Sequence, residues 1–344
     1  MFRFTRRQVL HAGLAAASAG PLLGAAGKAF ADTVPDRPFR IVILTPRADI
    51  GDVIGFQEFF QTRQIPAEFD IVEVPQPEMV TERIPAINAD RPDLVMTVFT
   101  PATLAAVGQY DDPDPSRFIT DIPVVFSSVT DPMGSRVVPS LDRPGRNVTG
   151  TSHIAPAGVQ LNTILAYRPI QRIAVVYNPG ENNMVVTVGN LRAACSALGL
   201  TLMEMPLPPG ADGTPSPEAI PDLIATAKRD GAELIYIGPD TLVASRNNKL
   251  VADAALEHQL PTFCATELPI RSAPLLMGLV SRATNVGRFA AFKASEILLN
   301  GRSPSTVPVQ TLDRFSLIVR IEVARRLNLY PPMRLLNIAE VIRD

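Results

Sequence analysis

The sequence predicts an α/β protein made of two doubly wound lobes, each a largely parallel sheet with helices on both faces. Three observations lead there. Short apolar, β-branched runs alternate with amphipathic helical segments, the pattern of parallel sheets buried on both sides. The alternation runs twice, with a restart near residue 151. The 344-residue chain, 46% hydrophobic and 19% charged, has length for two cores of about 150 residues each.

The first series opens with FRIVILTP at 39–46, a buried strand closed by Thr-Pro. GDVIGFQEFFQTR follows, with Val53, Ile54, Phe56, Phe59 and Phe60 at helical spacing. FDIVEV (69–74) is a strand, and VTERIPAINAD a helix in which Pro85 lies in the first turn or makes a kink. DLVMTVFT (93–100) is a strand. PATLAAVGQY starts a helix with Pro101 where a missing N–H costs little. DDPDPSRFITD is a polar loop, and IPVVFSSV (122–129) a strand ending in Thr130-Asp131-Pro132.

The second series is RIAVVYNP (172–179), a helix stopped by Gly199, LTLMEMPL, a Pro-rich loop over 206–221 and the helix DLIATAKRDG. AELIYIGP (232–239), a helix from Thr241 to Gln259, and the strands LPTFCATE (260–267) and LLMGLVS (275–281) come next. A helix over 285–301 and the strands VPVQTL and FSLIVR close it. In open α/β sheets ligands bind beyond the carboxyl ends of strands. The informative loops are therefore 45–52, 99–103, 127–133, 177–184, 238–242 and 264–268.

The N-terminus reads as an address. Arg3, Arg6 and Arg7 precede an uncharged run over 12–27, and Ala29-Phe30-Ala31 ends it with small residues. Basic start, short apolar stretch and A-x-A end make an export signal, here too short to span a bilayer core. Thr5-Arg6-Arg7-Gln8-Val9-Leu10 resembles the twin-arginine motif. Residues 1–31 are thus a signal cleaved after Ala31, leaving a periplasmic protein with no membrane insertion. A Sec signal that contains Arg-Arg is the other route.

A net charge of -2 and the lack of a dense basic cluster after the signal argue against nucleic acid. Three histidines, His11, His153 and His258, are too scattered for a metal site. No G-x-S-x-G, phosphate-binding loop, G-x-G-x-x-G or H-E-x-x-H occurs, so no enzyme and no cofactor are expected. Cys195 and Cys264 could pair in an oxidising compartment, although two sizeable cores need no such staple.

Several loops together resemble one family: IPVVFSSVTDP, LDRPGRNVTG, RIAVVYNPGENN, ELIYIGPDTLVASR and LPTFCATE, in that order. They look like the ABC-transporter substrate-binding proteins of the tryptophan/tyrosine-receptor type. The resemblance implies a type I periplasmic-binding fold, with three crossovers as a hinge and a ligand closed between the lobes. It implies lobes of 39–150 plus 282–304 and of 151–281 plus 305–344. The partners expected are a small organic ligand, such as an amino acid, and an ABC permease of the inner membrane, with the receptor a monomer. The alternative is a sensor of the same fold that signals to a membrane receptor. Two loops depart from the family: Pro46-Arg47-Ala48-Asp49 replaces a small Gly- or Ser-rich loop, and Phe99-Thr100-Pro101 replaces Gly-Thr-Pro.

Ten residues are candidate ligand contacts. Arg47, with Asp49 beside it, can hold a carboxylate or be a solvated loop pair. Thr100 and Pro101 start a helix whose positive end suits a carboxylate, unless Thr100 only caps it. Thr130-Asp131 follows the fourth strand, where Asp131 meets a ligand ammonium or makes a turn. Asn178 belongs to an Asn-Pro-Gly turn, with Glu181 and Asn182 in reach of the cleft. Asp240 and Thr241 leave the strand IYIGP through a tight Gly-Pro exit, and Glu267 has the same placement after TFCAT. Acids in both lobes and one arginine hint at a zwitterion.

Overall fold

The computed structural model describes residues 37–343 apart from residue 212. The export signal expected over 1–31, with cleavage after Ala31, lies outside the described residues. The chain runs β1 (Phe39–Thr45), α1 (Gly51–Thr62), β2 (Ala67–Glu73), α2 (Pro77–Asp90), β3 (Leu94–Val98), α3 (Thr100–Val107), β4 (Val124–Ser127) and β5 (Val148–Ser152). It continues through α4 (Ala157–Tyr167), β6 (Arg172–Tyr177), α5 (Asn182–Ala197), β7 (Thr201–Pro206), α6 (Ile220–Arg229) and β8 (Leu234–Ile237). A π-helical turn (Thr241–Arg246) leads to α7 (Asn248–Glu257), β9 (Thr262–Cys264), α8 (Glu267–Ser272) and β10 (Met277–Val280). Last come α9 (Ala283–Leu298), β11 (Gln310–Thr311), β12 (Ser316–Arg320), α10 (Ile321–Arg326), α11 (Met333–Leu336) and β13 (Glu340–Ile342).

Two sheets result. The first has the order β11-β5-β4-β3-β1-β2 and is parallel throughout; the second has the order β13-β12-β10-β9-β8-β6-β7, with β10 and β12 antiparallel. The period of two splits each strand between two cores. Ile41 and Ile43 of β1 pack with Phe56 of α1 and Ala290 of α9, while Val42 and Leu44 pack with Val80 and Ile84 of α2 and Ala106 of α3. In β6, Ile173 and Val175 join Ile164 and Leu191, while Ala174 and Val176 join Ile224 and Val251.

The chain crosses between the sheets three times. At the first crossing the Ser152 hydroxyl donates to Thr130 O at 2.9 Å, and Gln160 Nε2 donates to Ala155 O at 2.6 Å. His153 lies between these anchors, half-buried, with its Nδ1 inaccessible and unpartnered among the described residues. Burial pushes it down to about 4. At the second crossing α9 returns to lie on α1. A Cβ at Gly55 would sit 2.0 Å from Thr284 O, and one at Gly287 2.0 Å from Asp52 O, so only glycine permits this approach. At the third, Lys293 Nζ donates to Gln310 Oε1 at 2.9 Å and the Thr149 hydroxyl to Val307 O at 2.7 Å. β11 then pairs with β5, so the first sheet reaches beyond residues 150 and 304.

Two local expectations change, and the two cysteines stay unpaired. α2 begins at Pro77, so Pro85 is interior rather than first-turn; only Val80, Ile84 and Ile87 of that helix are buried. The expected helix 241–259 breaks into the π-helical turn and α7, because Asp240 and Asn247 bind backbone groups at both ends of the turn. Cys195 and Cys264 are free and lie in cores on opposite faces of the second sheet.

Candidate functional site

The loops at the carboxyl ends of both sheets face one another around a cavity of 610 Å³. Its first-lobe wall comes from Pro46, the segment Val74–Pro77, and the end of β3 with the start of α3. Thr100, Pro101 and Ala102 bring the positive end of α3 to the cavity. The Thr100 hydroxyl accepts from Thr130 N at 3.2 Å, which ties together the loops after β3 and β4. Phe99, where the resemblance expects glycine, keeps a glycine-like backbone with φ 70°. Such a conformation costs on the order of 1–3 kcal/mol and is maintained only by its surroundings. Here Phe99 N donates to Ser127 O at 3.0 Å and Thr103 N to Phe99 O at 3.1 Å.

The second-lobe wall is polar. Asn178, Glu181, Asn182, Asn183, Thr241 and Arg246 line it. Glu181 accepts from Thr241 N at 2.9 Å and from Leu242 N at 3.2 Å. Asp240, 1% exposed, accepts from Asn178 N and Val243 N, each at 2.7 Å. Asn183 Nδ2 donates to Pro239 O at 2.7 Å. The loops after β6 and β8 are thus one hydrogen-bonded unit. Burial first, and the Glu181 charge second, push Asp240 up to about 7.

The ten expected residues divide. Thr100, Pro101, Asn178 and Thr241 meet at the large cavity. Thr130 and Asp131 line a second cavity of 230 Å³, formed with the first and third crossovers and α5. Asp240 stands just behind the wall with its carboxylate turned onto backbone N–H groups, so it shapes the loops and does not line the large cavity. Arg47 and Asp49 pair with each other at 2.9 and 3.0 Å on the surface and line neither of these two cavities, although Pro46 beside them lines the large one. That pairing holds Asp49 below the usual carboxylate range. Glu267 accepts from Ala283 N at 2.9 Å and from Arg271 at 3.2 Å. Arg271 and Arg282 both also reach Glu340, so Glu267 anchors the second crossover.

Sequence reasoning missed Asp52. It is 2% exposed and accepts from the hydroxyls of Ser127 and, at 2.6 Å, Ser128. Burial pushes it up to about 6. Its only sequence signal is an acid in the first turn of a helix that follows a buried strand. Glu181 was visible only as a neighbour of the Asn-Pro-Gly turn. Among the described residues no group of three or more side chains is placed to hold a metal ion, and no helix is long and apolar enough to cross a membrane.

Comparison with known proteins fits this architecture. A tyrosine-binding protein of Clostridioides difficile (strain R20291) is 25% identical over 245 residues, 70% of this chain and 64% of that protein; the match therefore spans under two thirds of the relative. A conserved domain protein of Vibrio cholerae O1 biovar El Tor superposes with TM-score 0.76 at 23% identity, over 90% of this chain and all of that one. The ABC domain of a Streptococcus pneumoniae protein, solved in complex with L-Trp, gives TM-score 0.73 at 22% identity over 88% of this chain and all of that one. The fold is that of type I periplasmic-binding proteins. The family model for ABC transporter substrate-binding proteins, which are binders and not enzymes, matches residues 72–342, from β2 through β13 and hence both walls of the cleft. By that match this chain belongs to the ABC transporter substrate-binding protein family.

Proposed function

We propose that this chain is the exported receptor of an ABC importer and that its lobes close around a zwitterionic amino acid with an apolar side chain. One observation carries the reading: the 610 Å³ cavity lies between the lobes, with the start of α3 on one wall and Glu181 on the other. The α3 terminus offers positive potential to a carboxylate. Glu181, with Asp240 behind it, offers negative potential to an ammonium. Val74, Val98, Phe99, Leu104 and Leu242 provide apolar surface between them. The ligands named for the two relatives above, tyrosine and L-Trp, have this character.

The ligand favours the closed form by its greater affinity for that form. The closed receptor then docks on a permease of the inner membrane. Export follows the twin-arginine route with cleavage after Ala31, and the receptor acts as a monomer in the periplasm.

The test is a thermal-shift and calorimetric screen of residues 32–344 with amino acids, small carboxylates, purines and sugars. An amino acid at about 100 times its Kd adds roughly 2.7 kcal/mol to the folded state. A shift with aromatic or branched amino acids, and none with sugars or purines, supports the reading. Shifts with sugars alone, or with no compound in the panel, overturn it. Replacing Arg6 and Arg7 together by lysine should keep the precursor in the cytoplasm if the twin-arginine route is used.

A further inference from the structure

Away from the chain crossovers, hydrogen bonds between the lobes occur on both sides of the cavity. In the first sheet, β2 is at one edge and β4 lies on the far side of β1 and β3. After β2, Pro75 O accepts from Arg246 of the π-helical turn at 3.2 Å. After β4, Asp131 Oδ1 accepts from Gly134 N at 2.8 Å, which folds the loop back on itself. Asp131 Oδ2 then accepts from Asn190 Nδ2 of α5 at 3.3 Å. One turn earlier on that face of α5 is Val186, whose Cγ1 would lie 2.7 Å from a Cβ at Gly134. Loop and helix therefore meet backbone to side chain, and the missing Cβ allows it.

We propose that Asp131, Gly134, Val186 and Asn190 form a clasp that holds the lobes together around the ligand, with Asp131 acting through Asn190 and not on the ligand itself. The proposal rests on the receptor reading above. Both oxygens of Asp131 are engaged, one within its loop and one across the lobes. The cross-lobe bond is exposed, so water competes for it and it breaks readily when the lobes part. A clasp shifts the closed population and thereby scales every ligand's affinity by one common factor.

The test is a double-mutant cycle with Asp131→Ala and Asn190→Ala, read as Kd for L-tryptophan and for L-tyrosine. Each single variant should weaken both amino acids about fivefold, the worth of one modest hydrogen bond, and the double variant should lose no more than either single. Interlobe distance is read in parallel, without ligand, from spin labels at the exposed positions Glu82→Cys and Lys228→Cys. Gly134→Val, whose Cβ would meet Val186 Cγ1 and Asp131 Oδ2 at 2.7 Å each, should widen that distance as well.

A much larger loss for Asp131→Ala than for Asn190→Ala would put Asp131 on the ligand and overturn the clasp. Unchanged distances in all three variants would overturn it as well. If neither amino acid binds the wild type, the ligand reading fails, and the label distances still decide the clasp.

Discussion

Of the residues lining the large cavity, those from the first lobe carry no ionisable side chain, whereas the second lobe contributes Glu181 and Arg246 and, just behind them, Asp240. The first wall is polar through a helix terminus, the Thr100 hydroxyl and the neutral Gln76 amide. The second is a web of carboxylates on backbone N–H groups. The two walls thus provide complementary potentials by different physical means, backbone dipoles on one side and side-chain charge on the other. A backbone wall resists point substitution. A side-chain wall is open to it and to pH.

The largest effect should come from the support of the first wall. Gly55→Val forces a side chain into Thr284 O at the α1–α9 contact. It should cost on the order of 3 kcal/mol, seen as a lower urea midpoint. A loss below about 1 kcal/mol would mean that α9 is not essential to that lobe.

Next is the charge on the second wall. Glu181→Gln should weaken amino-acid binding about 10- to 100-fold by calorimetry, the range of a charge-assisted bond. Thr100→Val, on the backbone wall, should cost under about fivefold. Equal losses at the two positions would erase the contrast.

Asp240 brings in pH. Its folded value of about 7, and the value of about 6 for Asp52, exceed the ordinary 3.8. Each therefore contributes stability fully below its unfolded value and loses it as pH rises through the folded one. The ligand-free melting temperature should fall between about pH 4 and about pH 7, and Asp240→Asn should flatten the upper part of that fall, above about pH 6. An unchanged slope would show that Asp240 is ionised throughout.

The smallest effect is expected at Arg47→Ala, because the Arg47–Asp49 pair is exposed and lines neither of the two cavities. Stability should move by less than about 0.5 kcal/mol and affinity not at all. A clear loss of affinity would return that loop to the site.

Much of the architecture was readable in advance, because burial on both faces of a parallel sheet writes itself as apolar runs. FRIVILT and RIAVVY are strands for that reason, and their alternate residues divide between two cores. That Thr100, Pro101, Asn178 and Thr241 line the large cavity was readable too, since loops at strand ends come together at the cleft of such folds. Arg47, Asp240 and Glu267 show the limit. Each is a charged residue in the right kind of loop, yet each finds a partner within the protein. Asp49 and Glu340, the partners of Arg47 and Arg271, lie 2 and 69 positions from them in sequence.

By itself, then, the amino-acid order determined the α/β class, the double series of strands and helices and several of the loops that face the cleft, though not the one after β2 at 74–77. These follow from periodicity and turn chemistry, which act over a few neighbouring residues. Only the tertiary structure decided that α9 lies on α1, that Asp52 is buried against two serines, and which of several similar carboxylates looks into the cavity. Those outcomes depend on contacts between residues tens to hundreds of positions apart, where a glycine permits a close approach or a distant N–H claims a charge before any ligand can.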